Sequence, residues 1–266
     1  MDYKIIVRSE IKGNYMVKVI ILGSSNAIPE ENHENSHMAL VGDDRLALID
    51  CVNNPIVRLH KAGLDVEDVT DIILTHFHPD HVSGVPLLLM DLWLLGRKKE
   101  LRIYGLDYTL DRLGTMMDLY GWDTWPRFFP VKMHRLEEKD MSLVQENDQW
   151  RIFSSPVKHI IPNIGLRIEF PESGKVFAYS CDTEPCPQVV QLANSADILV
   201  HESAGASVGH TDATQAGKIA EGAGADSLYL IHYPSGKFKD NDIIAKASQE
   251  FNGPVRLAED FMEFEF

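Results

Sequence analysis

Three histidines and an aspartate lie within six residues, from His76 to His81, in the pattern H-x-H-x-D-H. Imidazole and carboxylate groups are ligands for zinc, iron or manganese, and the absence of thiolates here argues against a closed structural zinc site. Each histidine alone would be a surface or core residue by default, but four such groups at this spacing favour metal ligation. One metal ion could take His76 and His78, and a second could take Asp80 and His81.

The neighbouring elements place this stretch at the end of a strand. Residues 69–75 are mostly β-branched and apolar, which is typical of a buried strand. Residues 87–95 are strongly apolar and predict a helix that has Pro86 in its first turn. The polar side chains then lie on the connecting loop, where a rigid scaffold can direct them toward one point.

A metal site needs more ligands than one loop supplies, and the second half of the chain carries polar residues at the ends of predicted strands. Residues 154–159 end a strand on His159, and residues 175–180 run directly into Asp182. Such an aspartate is often a helix cap, but beside a metal it can bridge two ions, and both roles fit because residues 185–192 predict a helix. The other candidates at strand ends or helix starts are His201, Glu202, His210 and His232.

The alternation of strand and helix patterns through 266 residues favours one large α/β domain. We expect residues 1–16 to be an N-terminal extension of uncertain status and residues 17–266 to form that domain. The net charge of −15 disfavours binding to a long polyanion. The densest basic run, residues 97–99, is better explained as a helix end that complements the dipole. A small anionic substrate is therefore expected, with RNA as a disfavoured alternative.

Apolar runs, the N-terminal residues and the cysteines indicate the cellular location of the protein, and an aromatic stretch indicates a candidate surface. The most apolar run, residues 85–95, is too short for a membrane span and contains Asp91. Residues 1–10 show no secretion signal, and three scattered cysteines fit a reducing environment better than a disulfide framework. These features predict a cytoplasmic protein without a membrane partner. The aromatic stretch 120–129 is either a pocket wall, lid or dimer surface, or a satellite core beneath a loop.

The residues carry a resemblance to a known superfamily. T-H-F-H-P-D-H at 75–81, followed by His159, Asp182 and His232, resembles the metallo-β-lactamase superfamily over nearly the whole chain from residue 17. The resemblance implies a four-layer αββα sandwich with a dinuclear site along one edge of the sheets. Five further motifs resemble its ribonuclease Z-like phosphodiesterase branch: the predicted strand Val-Lys-Val-Ile-Ile-Leu-Gly at 17–23, Leu-Ile-Asp-Cys at 48–51, His-Glu-Ser-Ala at 201–204, Gly-His-Thr at 209–211 and Ile-His-Tyr-Pro at 231–234.

The resemblance also implies a role for each candidate. The two ions would be divalent, zinc first with manganese or iron as alternatives, and would share a bridging hydroxide. Asp80 would also orient or deprotonate that water, and His210 would contact the phosphate and protonate the leaving oxygen, unless it is only a helix cap. His201 and Glu202 would support the ligands without reacting. The implied ligands are His76, His78 and His159 for the first ion, Asp80, His81 and His232 for the second, and Asp182 as the bridge.

Two departures from the family pattern make processing of transfer RNA a less favoured function. A predicted hairpin fills the segment between His159 and Asp182, where long-form ribonuclease Z carries an arm that holds transfer RNA. Residues 50–52 read Asp-Cys-Val where the family tends toward Asp-Cys-Gly. We therefore expect a metal-dependent hydrolase of a small phosphodiester, such as a cyclic nucleotide or cyclic phosphate, and a homodimer by analogy. The alternatives are a ribonuclease Z-like tRNA 3′ endonuclease, a lactone or thioester hydrolase, and a catalytically silent binding scaffold.

Overall fold

Two seven-stranded sheets form the framework of the computed structural model, which describes residues 16–266. The expected N-terminal extension lies outside the described residues, apart from Met16. The first sheet has the spatial order β14-β1-β2-β3-β4-β5-β6, and β3 to β6 run parallel. Its strands are β1 (Lys18–Gly23), β2 (His37–Val41), β3 (Leu46–Ile49), β4 (Val69–Ile73), β5 (Leu101–Leu106), β6 (Val131–Leu136) and β14 (Glu263–Glu265).

The second sheet has the spatial order β13-β12-β11-β10-β9-β8-β7. Strands β10 to β13 pair in parallel, while β7 to β10 form an antiparallel meander. Parallel strands direct their carboxyl ends to one edge, where polar residues can meet. The strands are β7 (Ser142–Glu146), β8 (Arg151–Val157), β9 (Asn163–Phe170), β10 (Lys175–Tyr179), β11 (Ile198–Glu202), β12 (Leu228–Ile231) and β13 (Val255–Leu257).

Helices cover the outer face of each sheet, which confirms the expected four-layer αββα sandwich. Helices α1 to α4 flank the first sheet, and α5 to α7 flank the second. Within residues 16–266, every helix is too short or too polar to cross a membrane. The helices are α1 (Pro55–Lys61), α2 (Pro79–Val82), α3 (Val85–Leu94), α4 (Asp107–Leu119), α5 (Pro187–Leu192), α6 (Ala213–Ala223) and α7 (Ile243–Ser248).

Side-chain alternation along the strands divides the interior into three apolar cores. In β1, Val19 and Ile21 point into the core between the sheets, while Ile20 and Leu22 point toward the helices of the first sheet. A third core separates the second sheet from α5, α6 and α7. Both sheets are thus buried on two faces, so their strand ends are fixed by packing on either side.

Several local predictions need correction. The loop expected to carry the histidines contains a one-turn helix, α2, because Pro79 is suited to a first helical position. The charged and polar segment 137–149, to which the sequence assigns no strand, contains β7, whose polar Gln145 is buried and donates to Asp71. The strand expected to end on His159 ends at Val157. The aromatic stretch 120–129 packs largely onto the first-sheet core, as the satellite-core alternative expects.

Candidate metal centre

Polar residues that follow strands of both sheets converge at one edge of the sandwich. Strand β4 leads into the segment that carries His76, His78, Asp80 and His81. The second sheet contributes the residues that follow β8, β10 and β12. The residues that follow β4 and those that follow β8, β10 and β12 belong to different sheets. The packing of the two sheets against each other therefore brings the two halves of the site together. The residues from the second sheet are His159, Asp182 and His232.

The first group of potential ligands consists of three imidazole nitrogens. The Nδ1 atom of His78 lies 3.1 Å from His76 Nε2 and 3.1 Å from His159 Nε2. Nitrogens that bind one tetrahedral zinc ion at about 2.0–2.1 Å are separated by about 3.3 Å. The spacing of these three atoms therefore fits a single cation.

The second group combines two carboxylates with two imidazoles. Asp182 Oδ2 lies 3.5 Å from His81 Nε2 and 3.4 Å from His232 Nε2. Asp80 Oδ2 lies 3.6 Å from His81 Nε2 and 3.4 Å from His232 Nε2. One ligand atom from each of the four residues lies within 4.8 Å of the others. These contacts are too long for good hydrogen bonds but suit oxygen and nitrogen atoms arranged around an ion.

Buried polar atoms without partners provide a test of whether cations fit. Among the described residues, His81 Nε2 and Asp182 Oδ1 are buried and make no hydrogen bond. A buried polar atom normally has a partner, because leaving it without one costs about 1–3 kcal/mol. A pair of divalent cations would satisfy both atoms, so the donor set fits the implied metals.

Asp50 supports His81 from behind. Its Oδ2 atom lies 2.7 Å from His81 Nδ1, and Thr75 donates to the same carboxylate from its backbone nitrogen and its hydroxyl group. The carboxylates of Asp182 and Asp50 outweigh the effect of burial and raise the pKa of His81 well above its usual value. Asp50 belongs to the Leu-Ile-Asp-Cys motif, yet sequence reasoning gave it no role.

A second supported histidine lies beside the cluster. His210 Nδ1 is 3.1 Å from Glu202 Oε1, and this fully buried carboxylate also accepts hydrogen bonds from backbone N–H groups of Thr183, Thr211 and Ala204. The His210 ring centroid lies 5.1 Å from that of His159 and 5.7 Å from that of His232. His210 thus reaches both halves of the site, and it does not cap α6, whose N-cap is Asp212.

His201 does not join the cluster. Its Nδ1 atom contacts the carbonyl oxygen of Glu202 at 2.7 Å, and its buried Nε2 atom has no hydrogen-bond partner among the described residues. Burial lowers the pKa of His201 to about 4, so the side chain is neutral near pH 7. Of the two residues expected to support the site, the structure brings Glu202 to it and leaves His201 in the core.

Three non-glycine residues around the site adopt left-handed backbone conformations. Asp50 has φ 60°, Cys181 has φ 51° and His232 has φ 54°. Each follows a strand whose last residues are buried, so the chain turns sharply as it leaves the sheet. Such conformations are uncommon outside glycine and cluster at functional sites. The backbone is therefore strained where the candidate ligands are placed.

Comparison with known proteins shows a consistent set of relatives. The family model described as "Anti-Pycsar protein Apyc1" matches residues 17–253. A ribonuclease Z of Methanothermobacter thermautotrophicus is 27% identical over 304 aligned positions, which cover 94% of this chain and 97% of that protein. The relatives are therefore similar along nearly their whole length.

Solved structures share the same architecture. The metallo-β-lactamase fold protein YhfI from Bacillus subtilis superimposes with a TM-score of 0.80 at 23% identity, covering 94% of this chain and 99% of that one. Human short-form tRNase Z superimposes with a TM-score of 0.75 at 24% identity, covering 93% of this chain and 98% of that one. These likenesses confirm the metallo-β-lactamase fold expected from the sequence.

Proposed function

The chain belongs to the Anti-Pycsar protein Apyc1 family within the metallo-β-lactamase superfamily, and from this premise we propose that it hydrolyses a small phosphodiester. The enzyme is a metal-dependent hydrolase of the ribonuclease Z-like branch. The proposed substrate is a cyclic nucleotide or another cyclic phosphate. We also propose that the enzyme binds two divalent metal ions, with zinc as the preferred ion and manganese or iron as alternatives.

One observation supports phosphodiester chemistry most directly: the pair formed by His210 and Glu202 lies beside the ligand cluster. Hydrolysis of a phosphodiester produces an alkoxide leaving group that needs a proton. Glu202 fixes the His210 ring through Nδ1 at 3.1 Å, which leaves Nε2 to donate that proton. The distances from this ring to His159 and His232 support a role for His210 in contacting a phosphate bound at the metal centre.

The other candidate residues would either hold the metal ions or orient the water that attacks the phosphate. His76, His78 and His159 would hold one ion, Asp80, His81 and His232 the other, and Asp182 both. The bound ions would supply Lewis acidity and an activated water. Asp80, with its side chain only partly buried, would orient that water, while Asp50 and Glu202 keep His81 and His210 in position.

Two features of the chain favour a small substrate. Strands β9 and β10 are joined by a short turn between His159 and Asp182, so this segment carries no arm for holding a folded RNA. The net charge of −15 opposes binding of a long polyanion in general. A cyclic phosphate carries a single charge, which the bound cations would neutralise.

The test is an assay of purified protein loaded with zinc or manganese on a cyclic mononucleotide, a lactone, a thioester and a precursor tRNA. We expect hydrolysis of the cyclic mononucleotide, with kcat reduced about 10²–10⁴-fold in His210→Ala, the usual contribution of a general acid. His60→Ala is the matched control, because His60 is exposed on α1 and should leave kcat unchanged. Sedimentation of the same sample would test the expected homodimer.

A second candidate, tRNA 3′ processing, is favoured by the curated relatives named ribonuclease Z. It would replace the present proposal if precursor tRNA were cleaved faster than the cyclic mononucleotide at equal concentration. Faster hydrolysis of the lactone or thioester, unaffected by His210→Ala, would point instead to carboxyl-ester chemistry.

A further inference from the structure

Asp260 lies in the segment between β13 and β14, and its charged side chain is only 7% exposed. We propose that Asp260 is a positioning residue for His232, the proposed ligand that follows β12, and that it acts through the backbone of Ser24. This inference rests on the proposed metal centre and names the group that fixes one of its ligands.

The ring of His232 is held differently from the rings of two other proposed ligands. Asp50 contacts His81 Nδ1 at 2.7 Å, and the carbonyl oxygen of Gly209 lies 2.7 Å from His159 Nδ1. The Nδ1 atom of His232 is also buried, but it has no hydrogen-bond partner among the described residues. Because no such partner orients this ring, its position relative to a bound ion depends on where the backbone of His232 is held.

Two hydrogen bonds hold the turn that carries His232. The backbone N–H group of His232 donates to the carbonyl oxygen of Ser24 at 2.9 Å, and the residue keeps a left-handed φ of 54°. A residue other than glycine retains such a conformation only where the surrounding contacts determine it. The hydroxyl group of the next residue, Tyr233, donates to the carbonyl oxygen of Ala258 at 2.8 Å. One anchor of the turn is therefore Ser24, and the other lies in the segment that carries Asp260.

Asp260 fixes Ser24 and also the far end of the loop between β1 and β2. Its Oδ1 atom accepts hydrogen bonds from the backbone N–H group of Ser24 at 3.0 Å and from the Ser24 hydroxyl group at 2.8 Å. Its Oδ2 atom accepts from the backbone N–H group of Glu34 at 2.9 Å and from Arg58 Nη2 at 2.6 Å, in an ion pair that is almost fully buried. Moving this carboxylate would leave a buried charge and buried N–H groups without partners, so the Ser24 carbonyl is held firmly against His232.

The experiment measures the affinities of both zinc ions by competition with a chromogenic chelator, in the wild type and in Asp260→Asn. Loss of a group that orients a ligand usually lowers metal affinity about 10–100-fold. We expect this loss for one ion, the one that His232 would bind, and an unchanged affinity for the other. His232→Ala should weaken the same ion, and adding Asp260→Asn to His232→Ala should cause no further loss, because Asp260 acts through that ligand.

Asp71→Asn is the matched control, because Asp71 is also a buried carboxylate and pairs with Arg102 at 2.7 Å. It should lower the midpoint of thermal unfolding, as Asp260→Asn does, but leave both zinc affinities at the wild-type value. Ser24→Ala is a milder second variant if Asp260→Asn does not fold. It removes the hydroxyl hydrogen bond to Asp260 and should weaken the same ion about 2–10-fold, the equivalent of one hydrogen bond.

Equal weakening of both ions in Asp260→Asn would overturn the inference, because the effect would then be a general loss of structure. A further loss of affinity in the double variant, or wild-type affinities in both Asp260→Asn and Ser24→Ala, would overturn it as well. Failure of the wild type to bind two zinc ions would overturn the proposed metal centre and this inference with it. The measurement uses no substrate, so its result does not depend on which phosphodiester is hydrolysed.

Discussion

Asp50 illustrates how much a proposed metal ligand depends on a residue behind it. The carboxylate holds His81 through a 2.7 Å contact to Nδ1 and leaves Nε2 facing the ligand group. Loss of such a partner usually lowers metal affinity about 10–100-fold. We therefore expect Asp50→Asn to weaken zinc binding by this factor, measured by competition with a chromogenic chelator.

The control for this measurement is Asp44→Asn, which alters an exposed aspartate in the turn between β2 and β3. It should bind zinc as the wild type does. Wild-type affinity in Asp50→Asn, with the fold intact by circular dichroism, would show that His81 needs no support.

His201 predicts a pH dependence of stability. Burial lowers its pKa to about 4, whereas an unfolded histidine titrates near pH 6.5. Between these values the unfolded chain binds more protons, so the contribution of His201 is present above about pH 6.5 and is lost as the pH falls toward 4. The full shift corresponds to about 3 kcal/mol of unfolding free energy.

Urea unfolding of metal-free protein at pH 7 and pH 4.5 measures this effect. His201→Gln should reduce the difference in unfolding free energy between the two pH values, and His60→Gln should leave it unchanged, since His60 is exposed. An equal pH difference in His201→Gln and wild type would assign the acid sensitivity to other groups.

From the sequence, Asp50 received no role, and Glu202 was expected to support the site without its partner being identified. Asp50 acts on His81, and Glu202 acts on His210, across distances in sequence that local patterns do not encode. A polar residue at a strand end indicates a site, but only packing decides which neighbour it contacts. The identities of the seven proposed ligands came from a motif, whereas their supporting hydrogen bonds required the structure.

At the level of elements, the start of α3 depends on a close approach. A Cβ atom at Gly84 would lie 2.6 Å from the carbonyl carbon of Val52 and 2.7 Å from its oxygen. Those backbone atoms cannot move without displacing the segment that follows β3. We expect Gly84→Ala to destabilise the protein by about 1–3 kcal/mol, measured by chemical unfolding.

Gly114→Ala in α4 is the matched comparison. Among residues 16–266, apart from the two chain neighbours and the nearby backbone of α4, no atom lies within 4 Å of the position that a Cβ atom would take there. Alanine also has a higher helix propensity than glycine, so this substitution should stabilise the protein by up to about 1 kcal/mol. Equal changes in unfolding free energy for the two substitutions would mean that the start of α3 can move away from the Val52 backbone at little cost.

The elements that the sequence predicted best are those buried on both faces. Helix α3, predicted from the apolar run 87–95 with Pro86 in its first turn, spans Val85–Leu94, and strand β4, predicted within residues 69–75, spans Val69–Ile73. Strand β7 was missed because its buried positions include Ser142 and Gln145, whose polarity is satisfied inside the fold. Strand β14 has three residues, and its pairing with β1 comes from the far end of the described chain.

For the whole molecule, the ligand cluster joins the two sheets. One group of ligands follows β4 in the first sheet, and the others follow β8, β10 and β12 in the second. Cations bound there would stabilise the folded state by linkage, by about 2.7 kcal/mol when free metal is at 100 times Kd. The midpoint temperature of thermal unfolding should therefore rise by several degrees when zinc is added in place of a chelator.

Potassium at matched ionic strength is the control, since it should leave the midpoint unchanged. The zinc-dependent shift should also disappear in His159→Ala, which removes a ligand supplied by the second sheet. Identical midpoints with zinc and with chelator would mean that the cluster does not bind the ion in the folded state.

The three residues that adopt left-handed backbone conformations at strand ends limit how the stability of the protein can be engineered. Asp50, Cys181 and His232 hold conformations that cost roughly 1–3 kcal/mol each, and glycine would relieve that strain at any of them. All three side chains are also buried, so glycine would leave a void at each position and unpaired hydrogen-bond donors around Asp50. Engineering for heat resistance should therefore keep these side chains and seek added stability elsewhere in the sandwich.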